Sequence, residues 1–78
     1  MTRTSLSQTR AGDECLVLDI AAEHPELRSR LYALGVIPGC RVKVLRLAPL
    51  GDPMQLRVGA SFISIRKTEA AAVAVEVQ

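Results

Sequence analysis

Five short stretches of this chain alternate apolar with polar or charged residues at period two, and one stretch alone carries a helical period. Each alternating stretch has one face to bury and one to leave in water. Short strands of that kind must close on one another or leave costly open edges. In a chain of 78 residues there is room for one core, because a domain of this size buries only about 60% of its unfolded surface. One small, partly open β-barrel meets both demands.

The individual segments set the order. Residues 1–12 are polar apart from Met1 and Leu6, and read as an N-terminal tail from which Leu6 could fold back over a barrel end. The single domain then spans 13–78. Cys15–Ile20 is a strand with Leu16, Leu18 and Ile20 on one face. His24-Pro25-Glu26 opens a helix, since proline is tolerated in a first turn and an acid there complements the dipole. Leu27, Leu31 and Leu34 follow at i, i+4 and i+7 and are expected in the core. Gly35 stands where a left-handed cap belongs. Ile37-Pro38-Gly39 suits a type II turn, with Gly39 at its third position.

A strand from Cys40 to Leu47 follows. Its phase slips between Val44 and Leu45, which predicts a bulge or sharp bend there. Ala48–Pro53 is turn chemistry throughout. Met54–Val58 and Phe62–Arg66 are strands. Thr68 caps a single helical turn, and Val73, Val75 and Val77 form the last strand. The closest architecture is an SH3-like barrel of about five strands with one short helix.

Composition removes several functions. The chain has one Phe, one Tyr and no Trp, so aliphatic residues fill the core. Aromatic platforms for base stacking or proline-rich peptides are therefore not expected. Net charge is +2, and the bases Arg3, Arg10, Arg28, Arg30, Arg41, Arg46, Arg57 and Arg66 are scattered. That pattern speaks against nucleic acid. One histidine, His24, lies far in sequence from Cys40, which leaves no convergent catalytic set. There is no phosphate-binding glycine loop of the P-loop kind.

Cys15 and Cys40 form no Cys-x-x-Cys pair, and no secretory signal precedes them. The longest apolar run is Ala70–Val75, far short of the ~18 residues of a spanning helix. These features predict a cytoplasmic protein with reduced thiols. It would serve a membrane, if at all, from the water side. Cys40 is read as an apolar filler, and Cys15 is left open.

Two candidate sites remain. Glu23, His24 and Glu26 could hold zinc or ferrous iron weakly, with a second molecule or water completing the site. The plainer reading is that the acids complement the helix dipole. Asp13, Glu14 and Cys15 form a second cluster. For partner binding the candidates are Leu50, at an apolar loop tip between Pro49 and Gly51, and Arg46 and Arg57, on the two strands that the loop joins. Leu50 is equally suited to packing back over an open barrel end.

The order and spacing of several segments carry a resemblance. Arg30-Leu31-Tyr32-Ala33-Leu34-Gly35-Val36-Ile37-Pro38-Gly39 is similar to the "RL..LG..PG" signature of the FeoA family. Val42–Leu45, Ala48–Pro53 and Ile65-Arg66-Lys67-Thr68-Glu69-Ala70 continue the likeness in order. The resemblance implies an SH3-like barrel. It also implies a non-catalytic accessory role in ferrous iron uptake, by docking to the cytosolic part of FeoB, the membrane permease. The chain would then sit in the cytoplasm or peripherally at the inner membrane. FeoA-like domains also resemble the SH3-like domain of iron-dependent repressors, but this chain has no helix-turn-helix region. The expectation is a role with no required cofactor beyond a weakly held zinc or ferrous iron, no nucleic-acid binding and no membrane insertion, and a metal-bridged homodimer is compatible with it. The alternative is a small basic β-barrel regulatory module that binds a transition metal or nucleic acid.

Overall fold

The structure, a computed structural model, describes residues 2–21 and 23–78. Six strands form one antiparallel sheet. They are β1 (Thr2–Ser5), β2 (Glu14–Ile20), β3 (Arg41–Leu47), β4 (Met54–Val58), β5 (Ser61–Ile65) and β6 (Val73–Val77). Helix α1 (Pro25–Ala33) follows β2, and the one-turn α2 (Lys67–Ala70) precedes β6. The spatial order is β1-β6-β2-β3-β4-β5, so β1 and β5 are the edges.

Residues 2–12 are not a tail. Thr2–Ser5 pair with β6 from Thr2↔Val77 to Ser5↔Ala74. A 3₁₀ turn, Leu6–Gln8, then drives Leu6 into the core, where it is fully buried. Thr9 locks that turn: its backbone N–H and its hydroxyl both donate to the Leu6 carbonyl, at 3.2 and 2.6 Å. The polar segment is thus a sixth strand, followed directly by a buried apolar anchor, Leu6.

Two bulges bend the sheet. The register of β3 on β4 shifts between Val44 and Arg46, with Leu45 as the extra residue, as the phase slip predicts. The register of β2 on β6 shifts between Val17 and Asp19, with Leu18 as the extra residue. This second bulge overturns the expected face of β2. Cys15, Val17 and Ile20 are buried, while Leu16 and Leu18 are only half-buried. A strict period of two cannot put Cys15, Val17 and Ile20 on one side; one inserted residue can.

The helix runs as predicted, with His24 at its N-cap and Pro25 in the first turn. Leu31 is fully buried and Leu27 packs on the core, but Leu34 remains 39% exposed. Leu34 is the C-cap residue, where the chain already leaves the helical path. Gly35 and Gly39 take φ +94° and +91°. The Cys40 N–H donates to the Ile37 carbonyl at 3.1 Å, which closes the turn over Pro38-Gly39. In α2 the N-cap is Arg66, not Thr68, and the Arg66 N–H donates to the Glu69 carboxylate at 2.9 Å.

The core is aliphatic. Around Leu6, Val17, Ile20, Leu31 and Val44 stand Met54, Leu56, Ile65, Val73 and Val75. Both aromatic residues lie at the surface, Tyr32 at 42% and Phe62 at 73% exposure.

Candidate functional site

The loop between β3 and β4 is the most sharply presented apolar feature. Leu50 is 103% exposed and has φ +69° and ψ +8°. It does not cover the core, a place that Leu6 takes. A left-handed leucine costs about 1–2 kcal/mol, so the surroundings must hold it. They do so three times. The Gly51 N–H donates to the Ala48 carbonyl at 2.7 Å, and the Ala48 N–H to the Pro53 carbonyl at 3.1 Å. The Lys67 N–H donates to the Asp52 carboxylate at 3.0 Å, tying the loop to the start of α2.

The two candidate arginines are both exposed on the outer face of the sheet, but not together at the loop. Arg46 stands opposite Gln55, one pair from the neck pair Leu47↔Met54. Arg57 stands opposite Lys43. It lies three residues beyond Met54, about 10 Å along the strand at ~3.3 Å per residue. Arg57 therefore does not flank the Leu50 loop, because the bulge at Leu45 and the length of the hairpin carry it away.

His24 and Glu26 line one cleft with Leu27, Arg30, Thr68 and Glu69, while Glu23 is exposed in the turn before the helix. The second carboxylate in the cleft is engaged: Glu69 pairs with Arg30 and accepts from the Arg66 N–H. Among the described residues no three His, Cys, Asp or Glu side chains gather around a common point. The Asp13, Glu14, Cys15 cluster is dispersed by the strand itself. Cys15 is fully buried on the inner face and Glu14 is exposed, as consecutive strand residues must be. Burial, with a smaller contribution from Asp13, pushes the Cys15 thiol up to about 11. It is neither a ready nucleophile nor a ready metal ligand. Cys15 is thus the apolar filler, and Cys40 is half-buried beside the core. Of the candidate metal donors Glu23, His24 and Glu26, only His24 and Glu26 line the same cleft.

Sequence reasoning missed Phe62 and the concentration of charge beside it. In β3, β4 and β5 the row Lys43↔Arg57↔Phe62 runs across the outer face to the open edge. Arg41 lies two residues before Lys43 on the same face. The available signal was Phe62 falling out of phase with Ile63 and Ile65. The adjacency of Lys43 and Arg57 could not be read before the register was known.

No helix among the described residues is long and apolar enough to cross a membrane. The family model of the FeoA domain matches residues 4–77. A curated relative is the Fe(2+) transport protein A/Fe(2+) transporter FeoB fusion protein of Porphyromonas gingivalis (strain ATCC BAA-308 / W83). It is 30% identical over 71 residues, 91% of this chain but 8% of that protein. The solution structure of the FeoA protein from Chlorobium tepidum superposes with a TM-score of 0.87 at 40% identity, covering 95% of this chain and 70% of the other. The crystal structure of Stenotrophomonas maltophilia FeoA complexed with zinc, a procaryotic SH3 domain protein, gives a TM-score of 0.81 at 26% identity. That match covers 94% of this chain and 89% of the other. The fold is accordingly SH3-like, built here as an open six-stranded sheet. With nearly its whole length matched from the edge strand β1 to β6, this chain belongs to the FeoA family.

Proposed function

We propose that this chain is a non-catalytic accessory protein of ferrous iron uptake that docks on the cytosolic part of the FeoB permease and supports or regulates it. The observation that carries this reading is the Porphyromonas gingivalis relative, in which an Fe(2+) transport protein A and the FeoB transporter form one polypeptide. A covalent link holds two parts at high effective concentration, and such a link is useful where the parts work in contact. The Stenotrophomonas maltophilia protein, put forward as an activating factor for bacterial ferrous iron transport, agrees with that role.

The Leu50 loop supports the docking surface. An apolar tip held by three hydrogen bonds loses little freedom on binding. Arg46 beside its neck adds a cation for an acidic rim. Arg57 belongs to a more distant part of the same face. The role requires no cofactor, and a metal at His24 and Glu26 would be secondary, with water or a second molecule completing it.

The test is retention of the purified chain by the immobilised soluble part of FeoB, with and without guanine nucleotide. Saturable retention that is lost on Leu50→Ser is expected. Absence of retention in both nucleotide conditions overturns the reading.

A further inference from the structure

Two cations, Arg3 of β1 and Arg30 of α1, have carboxylate partners. Arg3 pairs with Glu76 at 3.7 Å, and Arg30 pairs with Glu69. Arg41, Lys43 and Arg57 do not: among the described residues no carboxylate oxygen comes within 4.0 Å of their charged nitrogens. All three line a single depression of about 270 Å³ on the outer face, together with Glu14, Val42 and Gly59. Glu14 stands opposite Lys43 in register, so three cations face one carboxylate.

Lys43 and Arg57 are directly opposite one another across β3 and β4. Like charges in that relationship destabilise a sheet. Nothing in the packing demands them, because both point away from the core. A concave site lined by one sign of charge focuses its field on a counter-ion.

We propose that this depression is an anion site for a phosphate group, carried by a free phosphate or by a lipid headgroup. The stereochemistry favours phosphate over carboxylate. Two guanidinium forks and one ammonium line it from two neighbouring strands, Arg41 and Lys43 from β3 and Arg57 from β4, and a dianionic tetrahedral oxyanion presents enough oxygens to meet all three. A carboxylate has two oxygens and one charge. The volume is below the ~300–1,000 Å³ of sites that enclose a drug-sized ligand. The pocket therefore takes the charged group alone and leaves the rest of the ligand in solvent. The proposal does not depend on the docking reading.

The experiment is amide NMR of the intact ¹⁵N-labelled chain. One arm titrates sodium phosphate against sodium chloride at matched ionic strength. Two further arms use vesicles of phosphatidic acid, whose headgroup is a phosphomonoester, and of phosphatidylcholine. Saturable shifts confined to residues 14, 41–43 and 57–59 are expected, and Arg57→Gln and Lys43→Gln should each weaken binding about tenfold or more. Each variant should also melt no lower than the parent in phosphate-free buffer, because a repulsion is removed. A response to phosphate establishes a soluble ligand; a response to phosphatidic acid vesicles alone establishes a headgroup. Shifts spread over the whole basic surface, shifts that survive in both variants, or no response in any arm overturn the proposal. A clear fall in melting temperature in both variants also overturns it, since the cations would then serve the fold.

Discussion

The Asp52 carboxylate accepts a hydrogen bond from the Lys67 backbone N–H at 3.0 Å, across 15 residues of chain. Lys67 opens α2, so one carboxylate both satisfies a helix-start donor and anchors the hairpin loop. Leu50 is held up by this anchor rather than by apolar packing.

Leu50→Ser should therefore leave stability within about 0.5 kcal/mol of the parent, while FeoB-dependent iron uptake falls. A guanidinium denaturation curve and an uptake assay in cells lacking the parent gene check the two halves. A large fall in the midpoint would show that the side chain belongs to the core.

Three leucines should separate by burial. Leu6→Ala and Leu31→Ala each empty a fully buried site and should cost about 2–5 kcal/mol. Leu34→Ala, 39% exposed, should cost clearly less. Denaturant midpoints of the three variants test the order. An unchanged midpoint for Leu6→Ala would return the N-terminal segment to the status of a tail.

Gly35 and Gly39 should differ although both have positive φ. A Cβ at Gly35 would meet the Val58 Cγ1 at 3.3 Å, whereas one at Gly39 meets nothing within 4 Å. Gly39→Ala should cost about 1 kcal/mol of backbone strain, and Gly35→Ala more than that. Thermal unfolding of both variants gives the comparison.

The buried thiol gives a pH signature. Cys15 is pushed from an ordinary 9.0 up to about 11 in the fold. Between those values the folded state holds a proton that the unfolded chain has lost. The stabilisation is present below about pH 9 and disappears as pH rises toward 11. Cys15→Ala should show a shallower loss of stability over that window. At neutral pH a thiol reagent should modify Cys40 first and Cys15 only on unfolding.

Much of the fold was legible because its signals are local. The helix between Pro25 and Gly35, the Pro38-Gly39 turn and the bulge at Leu45 each depend on backbone preferences and on phase within a few residues. The candidate site was legible in part. Pro49 and Gly51 marked Leu50 as a loop tip, and turn chemistry requires no partner. The grouping of Leu50, Arg46 and Arg57 did not survive, because it assumed a register that only cross-strand pairing sets.

What the amino-acid sequence determined by itself was the succession of strands and helices from β2 to β6, the glycine turns and the aliphatic character of the core. Tertiary structure alone decided which face of β2 lies inside, because the bulge at Leu18 is defined against β6 and not within β2. It alone turned Thr2–Ser5 into a strand, since an edge strand draws its hydrogen bonds from a neighbour more than 70 residues away, here Val77 for Thr2. It alone set Lys43 against Arg57, two cations 14 positions apart. Local preference acts through neighbours in the chain, whereas pairing and burial act through neighbours in space.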